Sequence, residues 1–336
     1  MTLTPELIRA HLDSLAKPQG SLGRLEQVAL RLALTQQTRV PVTQPRCVIL
    51  FAGDHGVVAS GVSAWPSVVT TAMMQTISSG RASSTALARA ANCDLRLVDM
   101  GSITPLKSYT APAVCDHRIA PGTANLAHGP AMTLAQFDAA WAVGAEQARA
   151  AVARGNKVLL AGEMGIGNTT PAACLTMLLT GADASIATGK GAGADEAMRL
   201  HKQATIAAAV LREAPQLAHN PKAAIAALCG FEIAAMAGYY AAAAHAGATI
   251  LLDGYVTTAA ALVAERLAPG TEQQMIAAHL SAEPGHRAAL TALGLEPMLE
   301  WEMRLGEGTG ALTALPLLDA AAALLCDVAT LAEIMG

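Results

Sequence analysis

Aromatic residues are scarce. Three phenylalanines, four tyrosines and three tryptophans make up 3% of the 336-residue chain. Charged residues are also few, at 14%, while hydrophobic residues reach 53% and alanine is abundant. Such a chain has material for a large core and must pack much of it from small side chains. That lets helices and strands approach closely and suits a layered α/β protein. No strong excess of one charge is present, and a net charge of −4 offers no electrostatic footprint for nucleic acid or an anionic membrane. The six cysteines (Cys47, Cys93, Cys115, Cys174, Cys229, Cys326) contain no CxxC pair. This argues against a disulfide frame or zinc site and for reduced thiols in a cytoplasmic protein. Residues 1–17 lack the basic start and apolar middle of a signal peptide.

One stretch, Ile233 to Leu252, has no Asp, Glu, Lys or Arg and is long enough to raise a membrane question. It is mostly alanine and contains His245, Gly238 and Gly247. A buried helix, a glycine turn and the start of a strand account for it better. Along the chain, residues 5–39 read as two helices broken at Pro18, with Ser21 as a cap for the second. Strands are expected at 47–52, 95–100, 157–161 and 249–252, with a further apolar run at 275–280. Helices are expected at 68–78 and from Met132 to Arg154. The segment from Ser102 to Pro130 is irregular. This alternation from about residue 46 to 295 predicts an α/β fold, doubly wound, with a mostly parallel sheet and helices on both faces.

Several strand ends carry acids and glycines: Asp54-His55 after the first, Asp99 in the second, Glu163 after 157–161, and Asp253 after 249–252. Parallel sheets present ligand-binding residues at such ends. Gly162-Glu163-Met164-Gly165-Ile166-Gly167-Asn168-Thr169-Thr170 has the texture of an anion cradle at a helix start. It lacks the Walker Gly-Lys-Ser/Thr and the GxGxxG spacing. Gly189-Lys190-Gly191-Ala192-Gly193 is a second glycine loop, with Lys202 on the helix after it. Two such loops and a lysine suit a phosphate. Trp65, beside Pro66, could wall a flat ring or anchor the core.

Near the C-terminus stands Arg304-Leu305-Gly306-Glu307-Gly308-Thr309-Gly310, one carboxylate between two glycines. By itself it reads most simply as a helix C-cap and surface turn. Helical segments are expected on both sides, at Pro297–Leu305 and Ala311–Met335.

Together the motifs resemble the nicotinate-nucleotide–dimethylbenzimidazole phosphoribosyltransferase family. They are KPQGSLGRLE at 17–26, FAGDHGVVASGVSAWP at 51–66, GEMGIGNTTPAA at 162–173, GFEIAAMAG at 230–238, LLDGYVTTAAAL at 251–262, SAEPGH at 281–286 and RLGEGTGALTALPL at 304–317. The resemblance spans nearly the whole chain. It implies transfer of the ribosyl phosphate of nicotinate mononucleotide to dimethylbenzimidazole, with no cofactor and no metal. It also implies a homodimer, with a large domain over 40–295 and a small helical domain built from 1–39 and 296–336. By resemblance Glu307 is the general base and Glu163 a second acid. Gly165, Gly167, Gly189, Lys190, Gly191 and Lys202 surround the phosphate. Asp253 and Ser281 face the ribose, and Trp65, Val69, Met73 and Leu305 line the base pocket. Two rival readings are a metal-dependent phosphohydrolase using Asp54, His55, Asp253 and His286, and a non-catalytic nucleotide sensor.

Overall fold

The computed structural model describes residues 2–108, 114–191 and 193–336; Ala192 of the second glycine loop and residues 109–113 of the irregular segment lie outside them. Six strands form one sheet: β1 (Arg46–Gly53), β2 (Asp94–Gly101), β3 (Val114–Asp116), β4 (Val158–Met164), β5 (Thr249–Leu252) and β6 (Met275–Ala277). All neighbours are parallel, in the order β3-β2-β1-β4-β5-β6. The sheet is therefore entirely rather than mostly parallel. The strand order reverses direction between β1 and β4, which opens a crevice beyond their C-terminal ends.

Helices connect the strands. They are α1 (Pro5–Ser14), α2 (Arg24–Gln36), α3 (Val68–Ser78), α4 (Ser83–Ala90), α5 (Leu134–Ala153), α6 (Thr169–Thr180) and α7 (Ala184–Ala187). The remainder are α8 (Glu196–Glu213), α9 (Pro221–Leu228), α10 (Phe231–His245), α11 (Tyr255–Leu267), α12 (Gly285–Ala292), α13 (Thr309–Asp327) and α14 (Leu331–Met335). Every residue of β1 is buried. Side chains alternate between faces along a strand. Accordingly Cys47, Ile49 and Phe51 join one apolar cluster with α5, α10 and α11, while Val48, Leu50 and Ala52 join another with α3, α4 and α13.

The chain ends meet in a third cluster, where Ile8, Leu12, Ala29 and Ala33 pack on Ala321, Leu324 and Leu325 of α13. A backbone bond from Ala16 N–H to Ala329 O (2.8 Å) ties them together. The charge-free stretch beginning at Ile233 is the buried α10, a turn and β5. Among the described residues, one helix, α13, is long and apolar enough to cross a membrane; it is a mostly buried core helix.

Two local expectations need correction. The cap before α2 is Gly23, not Ser21, and it makes no side-chain cap bond. Pro297–Leu305 is not helical. It runs extended beside the end of β6 and the segment that follows, with Met298 N–H to Ala277 O (3.0 Å), Leu280 N–H to Leu299 O (2.7 Å) and Ala282 N–H to Met303 O (2.9 Å). Helical spacing of its apolar residues was outweighed by strand-edge donors and acceptors that needed partners.

The small-residue packing is closest where α5 crosses α10. A Cβ placed on Gly144 would overlap the carbonyl of Ala235, which is backbone and cannot step aside. Gly144→Ala is expected to destabilise the protein by about 1–3 kcal/mol or more through overpacking, seen as a lower denaturation midpoint in urea. An unchanged midpoint would show that the two helices can separate at no cost.

Candidate active site

The C-terminal ends of the parallel strands face one side, and their acids divide into two kinds. After β1, Asp54 accepts from Thr70 Oγ1 (2.6 Å) and Ile103 N–H (2.8 Å). His55 Nε2 lies 3.0 Å from Glu232 Oε1, both fully enclosed. Burial pushes the His55 imidazolium down, but the charge and hydrogen bond of Glu232, with the charge of Asp54, outweigh it and hold its pKa above the ordinary value. In β2, Asp99 accepts from Gly101 N–H, Ser102 N–H and Ser102 Oγ. His286 accepts Ser281 N–H at Nδ1 (2.8 Å), so its Nε2 carries the proton and donates to Thr258 Oγ1 (2.8 Å). Each of these groups has its own structural partners. Among the described residues no three His, Cys, Asp or Glu side chains converge as metal ligands.

The other acids surround a cleft with about 930 Å³ of empty space, its open mouth included. One end is formed by Gly165, Ile166, Gly167, Asn168 and Thr169 at the start of α6, with Lys190, Gly191 and Lys202. Ile166 and Asn168 N–H are already bonded, to Thr70 Oγ1 and Gly165 O; the remaining N–H groups and the helix dipole favour an anion there. Lys202 is only 2% exposed and its Nζ donates to Thr169 Oγ1 (2.6 Å). Burial lowers its pKa to about 8, against the opposing charge of Glu283. Gly189 is set back from the lining, packed against the Glu283 carboxylate. Lys190 is largely exposed and sits 3.7 Å from Glu196. Arg304, on the opposite rim, reaches Gly191 O (3.3 Å).

Glu163, Asp253, Ser281, Glu283 and His279 line the interior, and Leu305 and Gly306 the mouth. Glu163 accepts from Asn168 Nδ2. Burial first, then the charges of Asp253, Glu232 and Glu307, push its pKa up to about 8. Asp253 accepts from Gly308 N–H (3.2 Å) and Ala311 N–H (3.0 Å), so it closes the N-terminus of α13 as well as lining the cleft.

That contact holds the Glu307 turn in place. Glu307 has φ 57°, between Gly306 at 84° and Gly308 at 72°. A run of left-handed residues is tolerated here because its two flanks lack a Cβ. The turn also packs directly on β4, because any side chain at Gly162 would strike the Glu307 and Gly308 backbone. Glu307 is 3% exposed, and its Oε2 accepts from Ser84 Oγ (2.9 Å) at the start of α4. Burial raises its pKa, hydrogen bonding from Ser84 pulls it down, and Asp253 raises it; the net direction is up.

The carboxylate of Glu307 thus faces Ser84 on α4, and Glu307 is not itself among the residues that line the cleft, whereas its neighbour Gly306 and Glu163 are. Val69 and Met73, four residues apart on α3, are half-buried, and Trp65 is 52% exposed; none of the three lines the cleft. Ser84 was not singled out from the sequence, and Thr169 entered only as one hydroxyl of the glycine-rich cradle. Ser84 sits in a serine-rich helix start whose ordinary role is capping, so nothing local distinguishes it.

A phosphoribosyltransferase family model, DBI_PRT, matches residues 4–334. A nicotinate-nucleotide–dimethylbenzimidazole phosphoribosyltransferase of Ralstonia nicotianae is 45% identical over 326 residues, covering 97% of this chain and 92% of that protein. One of the same name from Pseudomonas putida is 45% identical over 325 residues, with the same coverage. The crystal structure of CobT from Thermus thermophilus superposes with a TM-score of 0.94 at 43% identity, covering 98% of both chains.

Proposed function

Since the chain belongs to the nicotinate-nucleotide–dimethylbenzimidazole phosphoribosyltransferase family, we infer that it transfers the ribosyl 5′-phosphate of nicotinate mononucleotide to 5,6-dimethylbenzimidazole. The products are α-ribazole 5′-phosphate and nicotinate, supplying the lower ligand of cobalamin. The observation that carries the assignment of roles is the two-ended cleft. Backbone N–H groups and a buried ammonium lie at one end, and the carboxylate-bearing turn follows directly on Leu305 and Gly306, which line the same cleft.

In our reading the phosphate lies against Gly165, Gly167, Gly191 and Lys202, with Lys190 at the rim; Gly189, set back against the Glu283 carboxylate, supports the loop rather than touching the ligand. Asp253 and Ser281 are on the ribose side. The acceptor base enters from the α3–α4 side between Trp65, Val69, Met73 and Leu305. Nicotinate leaves a nucleotide as a pyridinium, so its departure neutralises the ring and requires no proton. The attacking azole bonds to C1′ through its lone-pair nitrogen while its other nitrogen still holds hydrogen, and positive charge builds there. Glu307 removes that proton. Its raised pKa makes it a better base than an exposed carboxylate.

Glu163, holding its proton to about pH 8, adds no second charge beside the base. Attack opposite the leaving group converts a β-nucleotide into an α-product. Much of the remaining acceleration comes from holding the two rings on opposite faces of C1′. We further place the protein in the cytoplasm as a homodimer. We assign 1–39 with 296–336 to a small helical domain set on a doubly wound large one at 40–295.

The test is incubation with nicotinate mononucleotide and a panel of bases, with products separated by chromatography. Free nicotinate and an α-ribotide of dimethylbenzimidazole are expected. Tight nucleotide binding without nicotinate release would favour a sensor instead.

A further inference from the structure

Glu283 is the one acid of the cleft that the reading above leaves without a task. It stands in the turn between β6 and α12, is 8% exposed, and lines the cleft together with Thr169, Gly191 and Lys202. The turn is held firmly. Glu283 N–H donates to Ser281 Oγ (3.3 Å), and Ser281 N–H is fixed by His286. Among the described residues the carboxylate has no hydrogen-bond donor, although its charge acts on Lys202. Its Oε2 is buried without a hydrogen bond, and no described residue forms an ion pair with it.

The contrast with its neighbours is specific. Asp253 has two backbone donors, Glu163 has Asn168, and Glu307 has Ser84. Lys202, on which the Glu283 charge acts, is directed at Thr169. Gly189 packs against Glu283 so closely that a side chain there would overlap it. A buried carboxylate without a donor is costly, and the cost is relieved when a ligand supplies one. Of the groups on nicotinate mononucleotide at neutral pH, the phosphate and the pyridine carboxylate are anionic acceptors and would be repelled. Only the 2′- and 3′-hydroxyls of the ribose can donate.

We propose that Glu283 accepts a hydrogen bond from one ribose hydroxyl of the mononucleotide and thereby selects ribo- over deoxyribonucleotides. The proposal rests on the transferase reading and adds a specificity-determining residue to it. Asp253 keeps its place beside the sugar. Its two oxygens are already engaged by α13, so Glu283 has the greater free accepting capacity.

The experiment is a substrate–mutant cycle. kcat/KM is measured for nicotinate mononucleotide and its 2′-deoxy and 3′-deoxy analogues, with the wild-type protein, Glu283→Ala and Glu283→Gln. A hydrogen bond to a charged group corresponds to a wild-type preference of about 10- to 150-fold for the hydroxyl concerned. Glu283→Ala is expected to bring that preference close to unity for one of the two analogues. Glu283→Gln, which preserves shape and an uncharged acceptor, is expected to reduce it part of the way; it carries the test by itself if the alanine variant does not fold.

Preferences that survive in both variants would overturn the proposal, as would a wild-type enzyme indifferent to both hydroxyls. So would an equal loss for all three sugars, the pattern expected if Glu283 served only to balance Lys202. Failure of the wild-type protein to release nicotinate at all would instead sink the transferase reading, so the two failures are distinguishable.

Discussion

Glu307→Gln is expected to lower turnover by about 10²- to 10⁴-fold while leaving the KM for the nucleotide nearly unchanged. The two side chains have the same shape, and the amide oxygen can still accept the Ser84 hydroxyl, so the turn between Gly306 and Gly308 has no reason to move. What is lost is the capacity to take a proton. The nucleotide end of the cleft, at α6 and Lys202, is formed by other residues. Steady-state kinetics with the nucleotide varied at saturating base separates the two parameters.

The pH profile gives a second check. Glu307 must be ionised to act, and its pKa lies above the usual carboxylate value, chiefly through burial. Turnover should therefore fall on the acid side at a higher pH than for an exposed carboxylate, and this limb should be absent from the variant's residual activity. Near-normal turnover in Glu307→Gln would remove it from the base role.

Lys202→Ala should act on the other kinetic parameter. Loss of a charge-assisted bond to phosphate is expected to raise the nucleotide KM by about 10- to 150-fold, with turnover at saturation much less affected. The pH dependence sharpens this. Burial holds the Lys202 ammonium at a pKa of about 8, so it is charged below that pH and neutral above it. The phosphate completes its own second ionisation near pH 6, well separated. In the wild-type protein KM should be level from about pH 7 to 8 and then climb by up to about tenfold per pH unit. The bound phosphate raises the ammonium's pKa, which delays the loss in the complex but not in the free enzyme.

Lys202→Ala should lack this climb. Any alkaline change that persists in the variant belongs to another group, and Glu163, also pushed up to about 8, is the first to consider. An unchanged KM in Lys202→Ala would refute the phosphate assignment.

Much of the scaffold was legible because each strand is bounded by local signals. The apolar run from Cys47 ends at Gly53-Asp54, and β1 ends there. The helix expected at 68–78 has those bounds in the structure. A stretch free of charge from Ile233 could be resolved into helix, turn and strand because Gly247 interrupts it. β3 was not foreseen: three residues in an irregular segment carry too little pattern to announce an edge strand.

Pro297–Leu305 misled for a different reason. Its spacing suits a helix, but its actual partners are backbone groups at the end of β6 and just after it, about twenty residues earlier in the chain. Local propensity is a weak preference that such pairing overrides.

The sequence by itself determined the alternation of strands and helices, the placing of acids at strand ends, and the isolation of Glu307 between two glycines. These follow from neighbours in the chain, where hydrophobic period and backbone freedom act over a few residues. Only the tertiary structure decided what each acid does. Asp253 meets the N-terminus of α13, Glu307 meets Ser84, and Glu283 meets no donor among the described residues. Those differences depend on which distant segment packs above each strand end. The same residue type is a cap, a base or an open acceptor according to the donors that the fold brings within about 3 Å of it.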